Sequence, residues 1–215
     1  MPQMWGTLLF DAVVAAFVVA GWYFVWREVN RLRAEKLIQC IKLAVAGRAQ
    51  VSAPQWHRPS RFDVDLRFAS AFRESRLTVE LTPREMPLSW LMARLHKLPE
   101  QVTFRADLEH RPASSLIITN HRWHGHTSQS VPSPENCYSL GSLVITTRED
   151  WQNETTIVES ILAARSRQLM VAEFRKQAPH LLVTAPLTSL TDDEDDSGLF
   201  GLLHELASCV AAREE

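Results

Sequence analysis

Three histidines crowd into the stretch TNHRWHGHT: His121, His124 and His126. Neutral imidazoles bind zinc and other borderline metals, and a three-ligand set leaves a fourth position open for water or substrate. His110 and Cys137 lie near enough along the chain to join such a set. The spacing argues the other way. On a strand, His124 and His126 would share one face and His121 would take the other. A helix serves the three no better, and no HExxH pattern is present. The expectation is a polar loop that carries histidine without metal, and no cofactor. A pH-sensing cluster is the secondary reading, because imidazoles titrate near neutrality.

The run Ile118-Thr119-Asn120-His121-Arg122 resembles the opening of the NHx4D box of the glycerolipid acyltransferases, which are often membrane proteins. The resemblance implies His121 as a general base, oriented by an aspartate five residues later. His126 occupies that fifth position, and no Gly-Thr-Arg type of phosphate-binding box follows. The likeness covers five of 215 residues, so it assigns no catalysis. The acidic run Asp192-Asp193-Glu194-Asp195-Asp196 could gather a hard cation, but it lacks the alternating ligands of a calcium loop. Acids ahead of a helix are also favoured by its positive N-terminus. Walker, GxGxxG and GxSxG motifs are absent, and the catalytic residues stay unassigned.

The element that must position everything else is the stretch from Trp5 to Trp26, WGTLLFDAVVAAFVVAGWYFVW. It carries one charge, Asp11, and no proline. About 20 apolar residues in helix are needed to cross a hydrocarbon core of roughly 30 Å, so this stretch predicts a transmembrane helix over 5–26. Trp5 at one end and Trp22, Tyr23 and Trp26 at the other match the bilayer interfaces, where such rings settle. A cleaved signal peptide would need a basic leader, and MPQM has none. Asp11 falls about 9 Å past Trp5 along a helix, where a carboxylate can reach the outer interface or contact a partner helix.

Orientation follows from charge. No Lys or Arg precedes the span, whereas residues 27–48 hold six Lys/Arg against two Glu. Basic residues near a span stay on the cytoplasmic side. Residues 1–4 are therefore expected outside, and the rest in the cytosol, across a bacterial inner membrane or the equivalent organelle membrane. Arg27, Arg31, Arg33 and Lys36 are expected at lipid headgroups. Residues 49–215 hold 17 Lys/Arg against 22 Asp/Glu, which argues against nucleic acid as a partner. Cys40, Cys137 and Cys209 are odd in number and lack CxxC spacing, which suits a reducing compartment. Cys40 and Cys209 are expected as small core residues.

A basic juxtamembrane helix over 27–47 continues the span, with Val29, Leu32, Leu37, Ile41 and Ala44 near helical spacing and Gly47 as a stop. Residues 48–60, with Pro54 and Pro59, read as a linker. Alternation at Phe62-Val64-Leu66-Phe68 and Leu77-Val79-Leu81 predicts an antiparallel hairpin. A short helix, LSWLMARLHKL, follows with Leu88, Leu91, Met92 and Leu95 on one side. Strands are predicted over 102–108, 116–118, 140–146 and 180–185, a polar loop over 121–138, helix through 153–179 including Phe174, and a closing helix with Phe200, Leu203, Leu206 and Val210.

The whole reads as an α+β domain over 61–215, a mainly antiparallel sheet with helices on one face. The functional expectation is a single-pass membrane protein whose partners are the lipid bilayer and another membrane or cytosolic protein. Its cytosolic domain would serve as an interaction, accessory or scaffold module. The alternative is a membrane-tethered hydrolase or transferase that uses the His121/His124/His126 loop, with or without a metal.

Overall fold

In the computed structural model the first helix, α1 (Pro2–Ala44), runs unbroken from the apolar stretch into the basic one. The structure describes residues 2–69, 72–112, 115–123, 136–140, 142–147, 169–191 and 198–211. For residues 2–8, 136–140, 147, 191 and 208–211 it describes the backbone alone. One helix near the N-terminus is thus long and apolar enough to cross a membrane. It ends where Gly47, at φ 80°, takes the left-handed conformation that a side chain disfavours.

Among the described residues ten strands follow: β1 (Ala49–Val51), β2 (Gln55–Arg58), β3 (Arg61–Phe68), β4 (Phe72–Glu80), β5 (Gln101–Leu108), β6 (Leu116–Asn120), β7 (Asn136–Leu140), β8 (Leu143–Thr147), β9 (Val171–Phe174) and β10 (Leu181–Pro186). They form one sheet of order β1-β3-β4-β5-β10-β9-β6-β8-β7, with β2 beside β1 on the same edge of β3. Among the described residues every ladder is antiparallel. Helix α2 (Pro87–Leu95) lies between β4 and β5; α3 (Thr188–Thr191) and α4 (Leu199–Ala211) follow β10. Antiparallel sheet with helices drawn from both ends of the chain is the expected α+β class.

Register explains the core. Val64, Leu77, Phe104, Val183, Ala172, Ile118 and Ile145 are successive cross-strand partners, and all are buried. Phe62, Val79, Val102 and Ala185 make a second such row. Period-2 alternation puts these rows on one face, and each Val or Leu so buried contributes about 1.5–3 kcal/mol. Against this core pack Ala34, Leu37, Ile38 and Ile41 of α1, then Leu199, Leu202, Leu203 and Leu206 of α4. The other face carries Asp63, Thr78, Thr103 and Thr184 in register.

Several expectations change. Residues 48–60 are not a free linker: β1 and β2 both pair with β3. The second half of α1 is not merely juxtamembrane, because its apolar stripe belongs to the core of the sheet. That stripe is Asn30, Ala34, Leu37, Ile38 and Ile41, while Leu32 stays exposed. Val171–Phe174 is strand, not helix; β9 is buried on both faces, so it lacks the alternation that marks a half-wet strand. The predicted polar loop holds a 3-10 turn (His121–Trp123) and ends in β7. Cys40 is exposed rather than part of the core. The part of the predicted helix over 153–168 and the acidic run Asp192–Asp196 lie outside the described residues.

Candidate functional site

The residues that polar chemistry brings together lie where α1 meets the sheet. Asn30 occupies the first position of the buried stripe and is fully enclosed. A polar group there needs partners, since an unmet one costs about 1–3 kcal/mol. Its Nδ2 donates to Glu85 Oε2 at 2.7 Å, and Ser60 Oγ donates to Glu85 Oε1 at 2.7 Å. Glu85 and Ser60 are buried as well. The carboxylate thus joins α1 to the turn between β2 and β3. Among the described residues no donor reaches Asn30 Oδ1.

One turn further along α1, Arg33 grips Glu100 with both ends of its guanidinium, at 2.9 and 3.0 Å. Such forked pairs combine charge with fixed geometry. Thr82 adds its backbone N–H and hydroxyl to the same carboxylate, at 3.3 and 3.1 Å. The Glu100 carbonyl accepts from Leu187 N at 2.9 Å. Glu100 therefore ties α1, the segment after β4 and the end of β10 to one point. Burial works against its charge, but the Arg33 fork, the Arg33 charge and the Thr82 donors outweigh it. They hold the carboxyl below the ordinary carboxylate value.

On the other side of Asn30 the junction is aromatic. Trp22 Nε1 donates to the Arg84 carbonyl at 2.8 Å. The Trp22 ring lies 5.7 Å from Trp26 and 5.9 Å from Trp90 of α2. Arg84 sits over Trp26 and Arg94 over Trp90, each 5.6 Å from the ring centre, within cation–π range. A cleft of ≈ 490 Å³ is lined by Arg33, Lys36 and Cys40 together with Trp123, Pro186 and Thr188.

The predicted membrane-facing residues separate by what surrounds them. Trp22 and Trp26 join the junction, and Tyr23 packs edge-on to Phe24 at 5.7 Å. Asp11, Arg27 and Arg31 are exposed on α1, with Arg31 bonded to Glu35 at 3.2 Å. Arg33, expected at lipid headgroups, is committed to Glu100, and Lys36 borders the cleft. Trp5 lies on α1, but its side chain is outside the described ones.

Of the three clustered histidines only His121 lies among the described residues. His121 is exposed, and its backbone N–H bonds Ser142 O at 2.7 Å. His124 and His126 lie outside the described residues. Among the described residues no group of three His, Cys, Asp or Glu could hold a metal. Asn120, the asparagine of the acyltransferase-like run, is a structural cap. It is fully buried, donates to Leu169 O at 2.9 Å and accepts from Arg122 N at 3.0 Å.

Asn30, Ser60, Thr82, Glu85, Trp90 and Glu100 were not apparent from sequence. One signal was available: Asn30 is the polar member of an otherwise apolar stripe. Both Glu85 oxygens accept from neighbours, so this arrangement holds rather than reacts. Neither protein-family models nor curated proteins match the sequence.

Proposed function

We propose that this chain is a single-pass membrane-anchored accessory subunit whose α+β domain, on the cytosolic side, binds another protein of a membrane complex. The observation that carries the proposal is the buried junction of Asn30, Ser60 and Glu85 with its neighbouring Arg33–Glu100 fork. Polar clusters in a core stabilise no more than apolar packing of the same volume. What such a cluster supplies is a single register. Here it sets the height and rotation of the sheet relative to the helix that leads to the bilayer. Fixed placement serves a subunit that must meet a partner at a set distance from the membrane. Cytosolic placement is supported by the basic residues at 27–48 and their absence before Trp5.

The surface that best fits the partner is the edge formed by β2. All four of its residues are exposed, and its ladder is with β3 alone among the described strands. Such an edge can accept a strand from another chain, with backbone bonds giving affinity and side chains giving choice. Trp56 offers an aromatic anchor 5.1 Å from Phe62.

The test is site-specific photo-crosslinking in native membranes with the full chain. A photoreactive residue replacing Gln55 should give one discrete protein adduct. The same residue replacing exposed Arg73 on β4 should give none. Adducts that are equal at both positions, or absent from Gln55, would sink the proposal.

A further inference from the structure

Helix α2 is unusual for a helix attached to a folded domain: of its nine residues only Ala93 is buried. Met86, Leu88, Leu91, Met92, Leu95 and Leu98 all stand exposed, Leu88 at 79% and Leu95 at 67%. A contiguous apolar surface of this kind marks a place where something other than water belongs.

Its position says what. The segment Glu85–Pro87 lies along Ala15, Ala16, Val19 and Ala20 of α1, forming an apolar groove with them. Ala15 precedes Trp26 by eleven positions, about 16 Å of helix. The apolar stretch Trp5–Trp26 is 22 residues, about 33 Å of helix against a core of roughly 30 Å, so a crossing takes up nearly all of it. Residues 15–24 must therefore lie within the membrane for α1 to span it, and Met86 and Pro87 go in beside them. Trp90 against Trp22 then brings α2 to the interfacial level, where indoles collect. Arg84 and Arg94, held over Trp26 and Trp90, place cations where anionic headgroups lie, and Lys97 follows at the end of the helix.

We propose that Met86–Leu98 is a second membrane contact: α2 lies in the inner interface of the leaflet that α1 leaves, its exposed leucines and methionines in lipid. This rests on the reading of α1 as a span. An apolar helix laid into the headgroup and acyl boundary binds by buried area together with charge attraction. The contact would hold the domain against the bilayer at two points instead of one and so stop the domain and α1 from rolling together about the helix axis.

The test uses the full chain in phosphatidylcholine–phosphatidylglycerol vesicles, with Cys40, Cys137 and Cys209 replaced by Ser. Single cysteines at Leu88→Cys, Leu95→Cys, Phe17→Cys and Arg67→Cys carry an environment-sensitive fluorophore. The lipids carry a nitroxide quencher either near the headgroup or near the chain end. Leu88→Cys and Leu95→Cys should be blue-shifted and quenched several-fold more by the shallow nitroxide than by the deep one. Phe17→Cys should respond to the deep nitroxide. Arg67→Cys, about 23 Å along β3 from Ser60, should respond to neither. If the α2 sites behave like Arg67→Cys while Phe17→Cys is quenched, this inference fails and the span stands. If Phe17→Cys is unquenched, the span fails and takes the inference with it. Blue-shifted α2 sites without quenching would mean that protein covers them, which also overturns it.

Discussion

The two halves of α1 are one helix with opposite surfaces. Among the described side chains of Leu9–Val25 none is buried, and Phe10, Phe17 and Phe24 all face outward. In Asn30–Ala44 the arrangement inverts: Arg31, Glu35 and Lys36 are exposed around it while Ala34, Leu37, Ile38 and Ile41 vanish into the sheet. Helical propensity does not distinguish the halves. The distinction is what surrounds each, and the crossover falls where Trp22, Trp26 and Asn30 meet the segment after β4. Away from that crossover, an apolar residue therefore stabilises the domain only in the second half.

The largest effect should come from cutting into that asymmetry. Ile41→Ala, at a site 1% exposed in the core, should cost about 2–5 kcal/mol in denaturant unfolding of the domain in detergent. Phe17→Ala, though it removes more apolar surface, should change the same transition by no more than about 0.5 kcal/mol. Equal losses at both sites would erase the distinction between the halves.

Next in size is the crossover itself. Glu85→Ala leaves the Ser60 hydroxyl buried without its acceptor and the Asn30 amide with only the Thr82 carbonyl at 3.4 Å, at about 1–3 kcal/mol for a group left unmet before any relaxation. A drop of about 3 kcal/mol in unfolding free energy is expected. A near-neutral result would mean that water reaches the junction and that it sets no register.

The smallest effect is the most diagnostic. Arg33→Met removes the fork from a partly exposed pair and should cost about 1 kcal/mol at neutral pH. The sign with pH is definite. Glu100 ionises more readily in the folded state than at its ordinary value of 4.5. Its contribution is complete above that pH and is lost as pH falls through the lower folded value. Wild type should therefore lose its advantage over the variant as pH drops below about 4.5. Unfolding curves across that window check this, and a constant gap would assign the loss to packing.

Much of the fold was legible because it was written locally. Phe62-Val64-Leu66 and Val102-Phe104-Ala106 alternate, and alternation is all that a half-buried strand requires. The long helix and its stop at Gly47 were equally plain. The β9 segment was not, because Val171, Ala172 and Phe174 are buried without a wet face to set a period. The edge strands β1 and β2 are too short to show one. The junction was hidden for a different reason: Asn30 and Glu85 are 55 residues apart, and no local pattern announces a pairing made by tertiary packing. The leucines of α2 were visible as an apolar side, yet sequence alone says nothing of whether an apolar side meets a core or a different solvent.

The continuity of α1 also has a mechanical side. A helix without a break is a shaft, and each residue along it advances the azimuth by about 100° and the height by about 1.5 Å. With the sheet keyed to it at Asn30 and Arg33, the shaft has no joint at which twist can be absorbed. A roll or tilt at its N-terminal end arrives at the sheet as the same roll or tilt. The domain is geared to that end of the helix rather than tethered to it.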